Sequence, residues 1–308
     1  MSSSLDIRLS DGRPERSAFV QMLSMLWRDK FALASFIFLL VVLFCALFGP
    51  ALLGDQAGRM NLRARNLAPF SMDAGWLSVL GADALGRSIL ARLIVGSQNT
   101  MLIAGSAVLL SLVLGGLLGM IAGFRGGWIS TVIMRIADTV MSFPSLLLAL
   151  VVLYVLGSSV LNVIIILAIT RVPLFLRTCR AEVLEIRERM FVTAACALGA
   201  SRHRLLWRHI APLAVPTLIT LATLDFAAVM LSESSLSFLG LGIQPPEVTW
   251  GLMVAEGQDY LSTAWWLSFW PGLAITLTAL SLNILAAWLR TAMDPVQRWR
   301  LEVSRSNG

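Results

Sequence analysis

The chain has 308 residues, 57% of them hydrophobic and only 14% charged, and its mean hydropathy is +0.79. A soluble domain carries about a quarter charged residues, whereas several stretches here reach the roughly 20 apolar residues that cross about 30 Å of hydrocarbon. A polytopic membrane protein is expected. The net charge of +6 comes almost wholly from arginine, with Lys30 the only lysine, and it fits membrane topology rather than a nucleic-acid surface.

That lone lysine also excludes a phosphate-binding loop of the form G-x-x-x-x-G-K-[ST], because Lys30 follows "MLWRD" and precedes phenylalanine. If the protein uses ATP, another chain hydrolyses it. Cys45, Cys179 and Cys196 are scattered, with neither metal-ligand spacing nor a disulfide framework.

In chain order, an arm over residues 1–30 precedes a first apolar span at about Phe31–Leu53. That span is longer than the roughly 7–15 apolar residues of a signal peptide and begins after a polar arm, so it is not expected to be cleaved. Further spans are predicted at about Thr100–Gly123, Ile129–Leu156, Val160–Leu176, Leu213–Leu236 and Leu267–Leu289. The expected fold is therefore all-α: a transmembrane unit over 31–289 with six helices, followed by a tail over 290–308.

Orientation follows from the positive-inside bias. The arm (Arg8, Arg13, Arg16, Arg28, Lys30), the segment after span four (Arg177, Arg180, Arg187, Arg189, Arg202, Arg204, Arg208) and the tail (Arg290, Arg298, Arg300, Arg305) share one side. That side is expected to be the cytoplasm. The outer loops then cover about 54–98 and 237–266. The first also carries five arginines, among them Arg87 and Arg92, which suit an interfacial helix before span two. In the second, Gly240, Gly242, Pro245 and Pro246 forbid a continuous helix, and Trp265, Trp266 and Trp270 read as interfacial anchors.

The inner loop, about 178–212, reads as a bent helical pair. One helix runs from Arg180, with Leu184, Phe191, Ala194, Ala195 and Leu198 as an imperfect apolar stripe, and Gly199 suits its left-handed C-terminal position. Ser201 suits the N-cap of the next helix, which sets Leu205, Leu206 and Ile210 against Arg202, Arg204 and Arg208. Pro212 and Pro216 then bracket the return into the membrane. Such a pair either rests on lipid headgroups or docks against another chain.

Ionisable groups at membrane depth are costly and indicate a pathway or a paired site. Asp225 lies 13 residues past Pro212, about 20 Å of helix, and Glu233 eight residues further, near the outer end. Both either line the path or are structural, with Arg171 in span four as the partner for Asp225. Arg135 and Asp138 are spaced to pair along span three. No acidic or histidine relay crosses the membrane, because His203 and His209 fall in the inner loop. An ion-coupled secondary transporter, the main alternative, would also call for inverted repeats, which are not evident. No catalytic or metal-binding residue is proposed.

Several segments carry a resemblance. "T-A-A-x-x-x-G" at Thr193–Gly199 with "I-x-P" at Ile210–Pro212 resembles the EAA loop of ABC importer permeases, the coupling helix that docks in the ATPase subunit. "GADALGRSILARLIVGSQ", "MRIADTVMSFPSLLLAL", "LSFLGLGIQPPEVTWG" and "FWPGLAITLTALSLNILAAWLR" are similar to the C-type subunit of dipeptide/oligopeptide/nickel permeases. The resemblance implies coupling to the ATPase through Thr193, Ala194, Ala195, Gly199, His209, Ile210 and Pro212, with Thr193 where the family usually has glutamate. It also implies a multi-pass bacterial inner-membrane location, with a B-type permease, two ABC ATPase subunits and a periplasmic binding protein as partners. No cofactor belongs to this chain; the ATPases bind ATP and Mg²⁺. Its implied task is to form half of the path for peptides or a related small solute.

Overall fold

The computed structural model describes residues 25–71 and 75–293. Most of the N-terminal arm and nearly all of the tail, with Arg8, Arg13, Arg16, Arg298, Arg300 and Arg305, lie outside the described residues. Within them the chain is a bundle of helices, and the only β-pairing is an isolated bridge between Ala82 and Ser88. Five helices are long and apolar enough to cross a membrane, or six if one sharply bent pair counts as a single span.

Helix α1 (Lys30–Gly58) opens on Asp29, whose Oδ1 accepts from the amides of Phe31 at 3.1 Å and Ala32 at 3.0 Å. Helix α2 (Ile89–Arg125) is capped by Ser88 and so begins well before the expected Thr100. The expected third span over Ile129–Leu156 is not one helix. It divides into α3 (Gly127–Met141) and α4 (Ser145–Leu156), bent by 83°. Pro144 supplies the reason: it lacks an amide hydrogen and disfavours helical backbone at Phe143 before it. At 12 residues, α4 is about 18 Å long, too short to cross about 30 Å of hydrocarbon alone.

Helix α5 (Val160–Arg187) runs through Pro173 and past the expected end at Leu176. It packs parallel to α2 along three glycines one turn apart. A Cβ on Gly115 would lie 2.6 Å from Phe175 Cβ, one on Gly119 2.6 Å from Cys179 Cβ, and one on Gly123 2.8 Å from Val183 Cβ. Small residues at this spacing let two membrane helices bring their backbones together. The buried Ser111 hydroxyl reinforces the contact by donating to the Ala168 carbonyl at 3.1 Å.

After α6 (Met190–Ala197), helix α7 runs unbroken from Arg202 to Phe238. Pro212 and Pro216, expected at the return into the membrane, lie within this continuous helix. Wide π-type turns over Leu205–Ile210 immediately precede Pro212 and absorb its missing donor and its bulk. Beyond α7 come α8 (Trp250–Gly257) and α9 (Trp266–Met293). Gly240, at φ +80°, turns the chain out of α7, as the glycine-proline stretch implies.

Candidate functional site

The inner loop differs from its sequence reading at one point. No single helix runs from Arg180 to Leu198: α5 closes at Arg187, Arg189 is extended, and α6 starts at Met190. Between Glu185 and Arg189 only Ile186 is apolar and buried, and past it the charged Arg187, Glu188 and Arg189 give a longer helix nothing to bury; Arg189 instead bonds Glu185 at 2.8 Å. The predicted apolar stripe is accordingly not a buried face. Phe191 is 42% and Leu198 89% exposed, while Val192, at 4%, anchors α6 to the bundle.

The bend at Gly199 forms as the residues dictate. Its φ is +82°, its amide donates to the Cys196 carbonyl at 3.0 Å, and the Ala200 amide donates to the Ala195 carbonyl at 3.1 Å. These two bonds make the six-to-one and five-to-two closure of a Schellman motif. Ser201 then caps α7 through the Arg204 amide. Thr193, Ala194, Gly199 and Pro212 are exposed, Ala195 and His209 partly buried, and Ile210 fully buried. Ile210 therefore pins the start of α7, whereas Thr193 and Ala194 share an open surface with Met190 and Leu198.

Midway along the spans, Arg171 on α5 faces α7. Its Nη1 lies 3.6 Å from Asp225 Oδ1, and its Nη2 donates to Ser232 Oγ at 3.0 Å. Asp225 and Ser232 are seven residues apart, two turns of one helix face. Asp225 is 4% exposed; its Oδ2 and Arg171 Nε have no hydrogen-bond partner among the described residues. Glu233, on another side of α7, is fully enclosed. It accepts from Ser237 at 2.8 Å and Ser234 at 3.5 Å, and bonds Thr249, the N-cap of α8. The Arg135–Asp138 pair expected along span three does not form. Asp138 bonds Arg177 on α5 instead, because α3 lies against α5 at this level.

At the far end of the bundle stands a charge network that spacing alone did not reveal. Asp83 Oδ2 receives Arg87 Nε at 2.6 Å and Arg92 Nη1 at 2.7 Å, and Arg92 Nη2 reaches Glu256 at 2.7 Å. Arg92 thus sits inside α2 and not in a separate interfacial helix. Nearby, Asn99 donates to Glu247 at 2.9 Å and to the Val248 carbonyl at 3.0 Å, and Trp250 Nε1 donates to the Leu93 carbonyl at 2.8 Å. Of the predicted tryptophan anchors, Trp265 is 51% exposed, but Trp266, at 8%, is buried with its Nε1 directed at the Ala82 carbonyl. That indole is a packing element, drawn inward by the Ala82 loop.

Among the described residues, five or six helices long and apolar enough to cross a membrane, with a short exposed helix between two of them, define a multi-pass membrane protein. Residues 115–299 match the family described as binding-protein-dependent transport system inner membrane component, and residues 17–69 match the N-terminal TM domain of oligopeptide transport permease C. The chain belongs to this family, as a C-type permease subunit of a binding-protein-dependent ABC importer of the inner membrane. Over 268 residues it is 39% identical to the di/tripeptide transport system permease protein DppC of Pseudomonas aeruginosa, covering 87% of this chain and 88% of that one. It is 35% identical to the probable D,D-dipeptide transport system permease protein DdpC of Escherichia coli, covering 92% and 94%. Identity to the glutathione transport system permease protein GsiD of Pectobacterium atrosepticum is 34%, covering 87% and 88%.

Proposed function

We propose that this chain forms one half of a translocation pathway for peptides or a closely related small solute. A homologous B-type permease supplies the other half, a periplasmic binding protein delivers the substrate, and two ABC ATPases bind and hydrolyse ATP with Mg²⁺. The chain itself is non-catalytic. It crosses the membrane six times, α3 and α4 together making one crossing, with both termini in the cytoplasm. The arm over 1–30, the spanning unit over 31–289, the outer loops, the coupling loop over 178–212 and the tail over 290–308 keep these assignments. Peptide-type substrates are favoured because the three relatives above are named for a di/tripeptide, a D,D-dipeptide and glutathione.

The observation that carries this reading is the surface of α6. Met190 and Leu198 are 88% and 89% exposed at the arginine-rich end of the bundle, on a helix that the Gly199 turn closes. Apolar side chains so placed call for a protein partner, and Thr193, Ala194 and Ala195 leave room for its backbone. Nucleotide-driven closure of the ATPases then moves α6, and α7 transmits the motion because it is continuous from Arg202 to Phe238. Arg171 and Asp225 act as a tie between α5 and α7, and Glu233 as a tie between α7 and α8.

Gly199→Val tests the coupling. A Cβ at 199 meets nothing within 4 Å, so only the backbone at φ +82° is disturbed, a conformation that β-branched residues resist. Substrate-stimulated ATP hydrolysis by the reconstituted complex is expected to vanish in Gly199→Val and to persist largely in Gly199→Asn. Normal stimulation and uptake in the valine variant would refute the coupling role.

A further inference from the structure

The α2–α3 corner carries a feature that neither transport nor coupling uses. A cleft of about 610 Å³ opens between the end of α2, α3 and α5, lined in part by Gly126, Ser130, Arg135, Asp138, Arg180 and Arg187. Three guanidinium groups border it. The carboxylate in the lining, Asp138, is already engaged by Arg177. The Arg135 guanidinium is exposed and has no hydrogen bond or ion pair among the described residues. Arg180 uses Nε on Ser130 at 3.1 Å, and Arg187 reaches the Gly123 and Phe124 carbonyls at 3.5 Å and the exposed Glu188 carboxylate at 3.4 Å, so Arg135 and the remaining Arg180 donors stay open. The lining therefore has positive charge and donors to spare, in the fork geometry that suits phosphate.

The helix beside the cleft has three faces. Ser130 and Ala137 are buried against the bundle. Trp128, Val132 and Ile136 are 75%, 46% and 62% exposed, and at 100° per residue they fall within about 80° of one another. Arg135, Asp138 and Thr131 occupy the remaining arc. An exposed apolar strip next to a basic arc is the pattern of a helix whose first turns lie at the membrane–water boundary, where tryptophan is enriched, before it runs on toward α4.

We infer that this cleft holds the phosphate of an anionic phospholipid, whose acyl chains lie along Trp128, Val132 and Ile136. Charge complementarity selects the headgroup, and the adjoining apolar strip selects a lipid over a free phosphate. The inference rests on the orientation proposed above only for the leaflet, which is then the cytoplasmic one, where anionic lipid attracts basic segments.

The test uses the purified complete complex in phosphatidylcholine nanodiscs that contain a minor fraction of brominated phosphatidylglycerol or, in parallel, brominated phosphatidylcholine. The Trp128 contribution is the fluorescence difference between the parent complex and Trp128→Phe. At equal mole fraction, brominated phosphatidylglycerol is expected to quench it several-fold more efficiently. Arg135→Gln should weaken that preference about fivefold, the effect of roughly one basic residue at a charged membrane surface, and Arg135→Lys should retain most of it. Equal quenching by the two lipids would make this ordinary boundary lipid and overturn the site. No quenching by either would mean that a protein chain covers the strip, and loss of the preference in excess inorganic phosphate would mean a soluble ligand. Full preference in Arg135→Gln would also overturn it. None of these readouts needs transport, so failure here leaves the importer reading intact. Arg204→Cys in a Cys196→Ser background checks the leaflet separately: an impermeant maleimide should label it only after the membrane is opened, and labelling of intact spheroplasts would move the site to the other leaflet.

Discussion

At one end of the bundle Arg92, with a side chain 3% exposed, clasps Asp83 and Glu256, while at the other Met190 and Leu198 stand 88% and 89% exposed on α6. The region around Arg92 closes on itself. Its buried Asp83 and Arg92 are paired, Glu233 receives hydroxyl hydrogen bonds, and Asn99 and Trp250 stitch the loop between α7 and α9 to α2. The region of α6 leaves its apolar surface open and is held by little more than Val192 and the Gly199 turn. Buried polar groups must find partners within their surroundings, and Asp83, Arg92 and Glu233 find theirs within this chain. The second region leaves apolar surface that this chain does not cover.

The largest effect is expected where completeness is greatest. Arg92→Met removes the cation between two carboxylates, and breaking a buried pair from one side typically costs about 3–5 kcal/mol. Glu256 is 30% exposed and recovers some hydration, and Asp83 keeps Arg87 at 2.6 Å, so the loss falls at the low end of that range. A sharply lowered melting temperature of the purified complex is the expected outcome. Unchanged melting would mean that the region around Arg92 does not depend on its charges.

A smaller loss is expected within the spans. Asp225→Asn removes the charge facing Arg171, but Arg171 keeps Ser232 at 3.0 Å and its side chain is 23% exposed. Leaving a partly satisfied group costs about 1–3 kcal/mol. If the pair is a tie, stability falls and uptake falls with it. Unchanged melting with altered uptake of cationic substrates would instead place Asp225 on the path.

The same contrast explains what the sequence could tell. The Gly199 turn and the Ser201 cap were legible because each is satisfied within about five residues. The apolar spans were legible because length and composition alone define them. The α3–α4 bend needed only Pro144, yet the unbroken hydropathy from Ile129 to Leu156 outweighed it. The Asp83–Arg92–Glu256 network was hidden because Glu256 lies far along the chain from Asp83 and Arg92 and meets them only when α8 folds over α2. The spacing of Gly115, Gly119 and Gly123 is visible in "LGGLLGMIAG", but nothing local identifies α5 as the helix they meet. At Pro212 a π turn accommodates what usually breaks a helix.

The smallest effect on stability is expected at the open surface, and it decides the comparison. Leu198 is 89% exposed and precedes Gly199 without contributing to the buried core, so Leu198→Ser should change the melting of the isolated permease pair by no more than about 0.5 kcal/mol, as for most surface substitutions. Its amide still donates to the Ala194 carbonyl at 3.0 Å whatever the side chain, so the turn is preserved. If Leu198 enters a cleft on the ATPase, the same substitution removes apolar area buried only in the complex, worth roughly 1.5–3 kcal/mol for a leucine. ATPase should then be lost during purification of the complex, with the permeases intact. Equal ATPase retention by parent and variant would leave the exposure of Leu198 without a partner to explain it. A fall in permease stability alone would mean that α6 is finished inside this chain after all.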